Sequence, residues 1–134
     1  MTKYALDTNT ISYILKEDPV VVRRFKAESA AGNRMIVPLI AYYEIKRGLL
    51  HVGSVRKMQH FELFCSRLGV DELRFDVLDK AAGIYDDLRR KGRLVDDADI
   101  IIAAQCVVNG YALVTNNTKH FEHITGLKHV DWRV

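Results

Sequence analysis

Cysteine and proline are both scarce in this sequence, with two of each among 134 residues, and there is a single tryptophan. Cys65 and Cys106 fit no paired metal-ligand spacing, and with no signal peptide ahead of them they read as reduced, cytosolic thiols. Pro19 and Pro38 mark no linker, and no internal repeat or low-complexity tract divides the chain, so the sequence predicts one domain over 1–134. No apolar run approaches the roughly 20 residues needed to span a bilayer, which argues against a membrane helix. A P-loop and a GxGxxG loop are both missing, and Ser12, Ser29, Ser54 and Ser66 sit in no nucleophile elbow. His120 and His123 lack the His-Glu-x-x-His or cysteine context of a zinc site and read as surface or structural histidines. Asp7-Thr8-Asn9-Thr10-Ile11 opens like a calcium loop, but Ile11 occupies a ligand position and the glycine is absent.

What remains is 49% apolar and 28% charged residues, the balance of a globular domain large enough to bury a core without disulfides. The formal charge of +3 is too small to diagnose nucleic-acid binding, but it is unevenly spread. Residues 1–70 hold eleven Lys/Arg against six Asp/Glu, whereas residues 71–99 hold six against nine. A basic half beside an acidic cluster suits a protein that attracts phosphate and collects a cation. Short apolar segments at Tyr4–Leu6, Met35–Val37, Leu73–Phe75, Tyr111–Val114 and Val130–Trp132 predict strands. Helices are predicted after Asp7, from Pro19, from Pro38 to Leu50, over about 54–68 and 77–91, and from Asp96–Asp99 to the Asn109-Gly110 stop. Strands alternating with helices predict an α/β fold with a parallel sheet covered on both faces.

Isolated acids carry the functional signal. Asp7 is the only charge between Tyr4 and Leu15, Glu44 the only one between Met35 and Ile45, and Asp99 stands at the entrance of a stretch without charge from Ile100 to Thr118. A lone carboxylate near a core costs several kcal/mol unless it is paired, hydrogen-bonded or bound to a cation. If the 111–114 strand pairs beside the first, Asp7 and the polar run Thr115, Asn116, Asn117 and Thr118 converge on one crevice at the carboxyl edge of the sheet. Such carboxylate and amide oxygens suit Mg²⁺ or Mn²⁺ better than zinc. Plainer roles stay open: Asp7 as a helix cap, Asp96, Asp97 and Asp99 as partners of a helix dipole, Glu44 paired with Lys46 or Arg47, and Thr115 in an ordinary turn.

Four blocks then resemble PIN-domain endoribonucleases, and within them the VapC toxins of bacterial and archaeal toxin–antitoxin pairs: Leu6-Asp7-Thr8-Asn9-Thr10-Ile11, Glu44-Ile45-Lys46-Arg47-Gly48, Asp99-Ile100-Ile101-Ile102-Ala103-Ala104, and Leu113-Val114-Thr115-Asn116-Asn117 with His120-Phe121. The resemblance implies an α/β/α sandwich around a parallel sheet of four to five strands. It implies an Mg²⁺ or Mn²⁺ site of Asp7, Glu44 and Asp99, lined by Thr115 and Asn117. Many PIN domains carry a fourth acid where Asn117 stands, and Asp97 is the residue here that could compensate. The implied reaction is hydrolysis of an RNA phosphodiester, in transfer RNA ahead of ribosomal RNA, with Lys46, Arg47, Arg23, Arg24 and Lys26 as candidate phosphate guides. The implied partners are a VapB-type antitoxin, whose C-terminal segment covers the site and presents an Arg, and a second copy in a homodimer. The implied setting is the cytoplasm. The competing readings are a PIN nuclease outside a toxin pair and a catalytically silent module that binds RNA or protein.

Overall fold

The computed structural model describes residues 1–134. Strand β1 (Lys3–Leu6) leads into helices α1 (Thr8–Leu15) and α2 (Pro19–Ala30), then β2 (Arg34–Pro38), α3 (Leu39–Val52) and α4 (Val55–Leu68). After β3 (Val70–Asp71) come α5 (Phe75–Lys91), α6 (Asp97–Asn109), β4 (Ala112–Val114), α7 (Thr118–Phe121) and β5 (Lys128–Val130). The strands form one parallel sheet in the order β3-β2-β1-β4-β5. No helix is long and apolar enough to cross a membrane.

Local chemistry sets the helix limits. Asp7 caps α1 by accepting from the Thr10 N–H, Asp18 caps α2 ahead of Pro19, and the Ser54 hydroxyl caps α4. Helices α5 and α6 stop at Gly92 and Gly110, both left-handed, a conformation in which a side chain would clash with its own backbone. The core is a continuous cluster in which β1, β2 and β4 contribute Leu6, Val37 and Leu113, while α4, α5 and α6 contribute Phe61, Leu88 and Ile102. Both cysteines are buried, and burial raises their thiols, Cys65 to about 11 and Cys106 further, so neither supplies a thiolate.

Three elements differ from the sequence expectation. The third strand is Val70–Asp71, not Leu73–Phe75: Val70 pairs beside Val37, and Phe75 opens α5 fully in solvent. Two residues carry no periodicity, and this edge is pinned from outside, by buried Gln105 donating to the Asp71 carbonyl (2.8 Å) and carboxylate (3.0 Å). The last strand is Lys128–Val130 because Trp132 leaves the sheet to pack edge-on against Tyr4 and Phe25. The short α7 lies in a polar stretch with no apolar pattern to announce it.

This topology positions the site. The chain builds β1, β2 and β3 toward one edge and then returns to place β4 on the other side of β1. Connections leave β1 and β4 in opposite directions, which opens a crevice at their carboxyl ends, where open α/β sheets bind ligands.

Candidate active site

Asp7 and Thr115 immediately follow paired strands. Leu6 lies in register with Val114, and the Val114 carbonyl accepts from both the Asp7 N–H (3.1 Å) and the Thr10 hydroxyl (2.9 Å). The Thr10 N–H donates to the Asp7 carboxylate at 2.9 Å. Asp7 therefore does cap α1, but the cap leaves an acid only 7% exposed with no basic side chain paired to it. Burial pushes its carboxyl above the usual range, hydrogen bonding from Thr115 and Thr10 opposes this, and the charge of nearby Asp99 adds to the rise. Thr115 is fully buried. Its N–H donates to the Val130 carbonyl (3.0 Å), and its hydroxyl accepts from the Asn117 N–H (3.0 Å), folding the loop over the crevice.

Asp99 reaches the crevice from the first turn of α6, where the helix dipole favours a negative charge. One carboxylate oxygen lies 3.0 Å from the Nδ1 of His120, and Asn117 orders that histidine by accepting its backbone N–H at 3.1 Å. Glu44, on the second turn of α3, accepts the Thr8 hydroxyl at 2.7 Å and so lies beside the residue that follows Asp7. No three His, Cys, Asp or Glu side chains are gathered closely enough to form a ready metal cluster. Asp7, Glu44 and Asp99 are thus brought to one edge without closing into a cage, with Glu44 tied to a hydroxyl.

The donor chemistry still fits a hard divalent cation. Mg²⁺ keeps several of its waters and needs only one or two protein carboxylates, the number that Asp7 and Asp99 supply. Burial and the nearby charge of Asp99 both make the ionised Asp7 costly, no Lys or Arg is paired with it, and a bound cation would relieve that cost. Asp97 is exposed at the first residue of α6, and no hydrogen bond ties it to these acids.

From Thr8 and Glu44 a groove of roughly 460 Å³ runs between α1, α3 and α4. Ile45, Leu49, Leu15 and Val52 give it an apolar floor, and Lys16, Lys57 and His60 stand along it. Lys46 and Arg47 lie outside it. Lys46 is bound to the Tyr42 hydroxyl (3.1 Å), and Arg47 covers the Tyr43 ring at 5.1 Å. Sequence reasoning missed Lys16, Lys57 and His60 because they come from helices whose relative placement no local pattern reveals. It also missed the role of His120, which is 21 positions away from Asp99.

Residues 4–127 match the PIN domain family. The chain belongs to that family. Among curated PIN-type relatives, it is 33% identical to the protein named tRNA(fMet)-specific endonuclease VapC of Salmonella typhimurium, over 98% of this chain and 99% of the relative. Among solved structures, the DNA-bound VapBC of Salmonella typhimurium matches this PIN domain with a TM-score of 0.86 at 32% identity, covering 98% of this chain and 99% of that one. VapBC2 of Rickettsia felis, bound to a promoter DNA fragment, matches with a TM-score of 0.85 at 25% identity, over 98% and 99% of the two chains. The five-stranded parallel sheet is the sheet of this PIN family, at the upper end of the expected four to five strands.

Proposed function

We propose that this protein is a divalent-metal-dependent endoribonuclease, the toxin of a VapBC-type pair in the cytoplasm, neutralised by a VapB-type antitoxin. The observation that carries this reading is the buried carboxylate of Asp7, which faces Asp99 at the switch point of the sheet with no basic partner. The names of the VapC relatives support the same reaction class. Mg²⁺ or Mn²⁺ held by Asp7 and Asp99, with Glu44 on the same edge, supplies activation of water and shielding of phosphodiester charge. The chain's own part is positional. Thr10 and Thr115 hold Asp7, Asn117 braces Thr115, and Lys16, Lys57 and His60 meet the phosphates of an RNA lying in the groove. Transfer RNA is the proposed substrate, on the resemblance and on the printed name of the Salmonella relative.

The decisive experiment incubates purified protein with total RNA in Mg²⁺ and in EDTA and maps the cut ends by sequencing. Cuts at one or a few positions that disappear with EDTA are expected. No cutting by folded, Mg²⁺-loaded protein would overturn the enzyme reading and favour the silent module.

The apolar floor of the groove suits an antitoxin segment that also screens the acids from RNA. Gly48 lines this groove and a Cβ built there meets nothing within 4 Å, so Gly48→Trp, its fold checked by circular dichroism, places an indole at the groove. Its antitoxin affinity, measured by calorimetry, is expected to fall at least ~10-fold through steric clash, and cleavage by the free toxin to weaken with it, since the same groove is proposed to hold the RNA. Unchanged affinity would place the antitoxin elsewhere. For the proposed homodimer, α5 exposes Phe75, Leu78 and Tyr85 along one face, apolar surface suited to a second copy.

A further inference from the structure

The two histidines of the α7 region have different surroundings. The His123 imidazole meets only the exposed carboxylate of Glu122, at 3.3 Å on the neighbouring residue. His120 points its Nδ1 at the Asp99 carboxylate across 3.0 Å, and this is the single side-chain partner Asp99 has. Phe121, 1% exposed, anchors α7 in the core, and the Asn117 carbonyl accepts the His120 N–H, so the imidazole is presented from a fixed backbone.

We propose that His120 is a positioning residue for the metal site: its Nδ1–H holds one oxygen of Asp99 so that the other stays turned toward Asp7. This inference rests on the divalent-metal reading above. The terminal torsion of an aspartate is broad and roughly two-fold, so an untethered Asp99 swings easily. The charge of Asp7 gives it a reason to swing away. An imidazole N–H donating from Nδ1 across that 3.0 Å contact opposes the rotation. Hydrogen-bond partners of ligating carboxylates act in this way generally, and their loss costs roughly 10–100-fold in metal affinity.

The test is a Mn²⁺ titration of the purified full chain, with free Mn²⁺ read by electron paramagnetic resonance, on the wild type, Asp7→Asn, His120→Ala, His120→Asn and His120→Gln. An asparagine amide places its N–H close to that of Nδ1, whereas a glutamine amide reaches toward the Nε2 position. His120→Ala and His120→Gln are expected to weaken Mn²⁺ binding by ~10–100-fold, and His120→Asn to restore it to within about 3-fold of wild type. Circular dichroism spectra and melting temperatures should stay unchanged across the three His120 variants. Wild-type affinity in His120→Ala, or an Asn variant as weak as the Ala variant, overturns the positioning role while leaving the metal site standing. Absence of Mn²⁺ binding by the wild type, or binding indifferent to Asp7→Asn, overturns the metal reading and this inference with it.

Discussion

Replacing Asp7 with asparagine is expected to abolish RNA cleavage and, at the same time, to raise the melting temperature of the metal-free protein. Asparagine keeps the side-chain oxygen that accepts the Thr10 N–H, so the cap on α1 survives. What disappears is a carboxylate that is 7% exposed and repelled by Asp99. Because burial raises the carboxyl of Asp7 in the folded state, the folded protein holds this proton more tightly than the unfolded chain does. The stability of the metal-free wild type therefore falls as pH rises through the ordinary value of 3.8 toward the raised one, and stays lowered above it. The stability gap between the variant and the wild type should open above pH 3.8 and level off once the pH has passed the raised value of the folded state. Scanning calorimetry at a series of pH values measures it. Cleavage should drop at least ~10²-fold, the scale of losing one electrostatic contact to a reacting group. Added Mn²⁺ should stabilise the wild type and leave the variant where it was. A variant that melts earlier at neutral pH, or that still cuts RNA at the wild-type rate, would show that Asp7 is a helix cap and nothing more.

Trp132→Ala is the largest stability change expected. The indole is 2% exposed, meets Tyr4 of β1 edge-on at 5.4 Å and Phe25 of α2 at 6.4 Å, and closes the core where the last strand ends. Truncation to alanine removes that packing and leaves a cavity, a loss of about 3–5 kcal/mol. Against a total of ~5–15 kcal/mol for a domain, this unfolds a measurable fraction of molecules. A fall of roughly 10–20 °C in melting temperature follows at this chain length. Trp132→Phe should lose far less, since the buried Nε1 has no hydrogen-bond partner to forfeit. The effect should extend to the site. Arg133 donates to the Tyr13 hydroxyl at 3.0 Å and covers its ring at 4.4 Å, and that hydroxyl also accepts from Asn116 at 3.3 Å. Freeing the segment around Trp132 loosens the loop that carries Thr115 and Asn117, so the folded fraction should cleave more slowly. A melting temperature within about 3 °C of wild type would mean that other contacts hold β5 in place.

The acids of the candidate site were legible because ionised groups are costly near a core: Asp7 and Glu44 each stand alone in a stretch otherwise without charge, and Asp99 borders one. Asp7 and Asp99 lie at the ends of elements whose starts and stops were also local: the cap at Asp7, Pro19 in the first turn of α2, and Gly92 and Gly110 after α5 and α6. The basic residues were not legible in the same way. Lys46 and Arg47 lie two and three positions after Glu44, yet one is engaged by Tyr42 and the other by Tyr43, while Lys16, Lys57 and His60 line the groove. Which side of a helix meets a groove depends on how the helix is docked, and neighbouring positions on a helix point in different directions.

Element order, the α/β class and the short list of carboxylates followed from the chain alone, because hydrophobic periodicity, capping and the cost of burying charge act over a few residues. The pairing of β4 beside β1 followed only from the packed molecule, and with it the meeting of Asp7 with Thr115 and Asp99. So did the histidine that fastens Asp99 and the hydroxyl of Thr8 that detains Glu44. Those contacts join residues far apart in sequence, and their partners are selected by how the whole core closes.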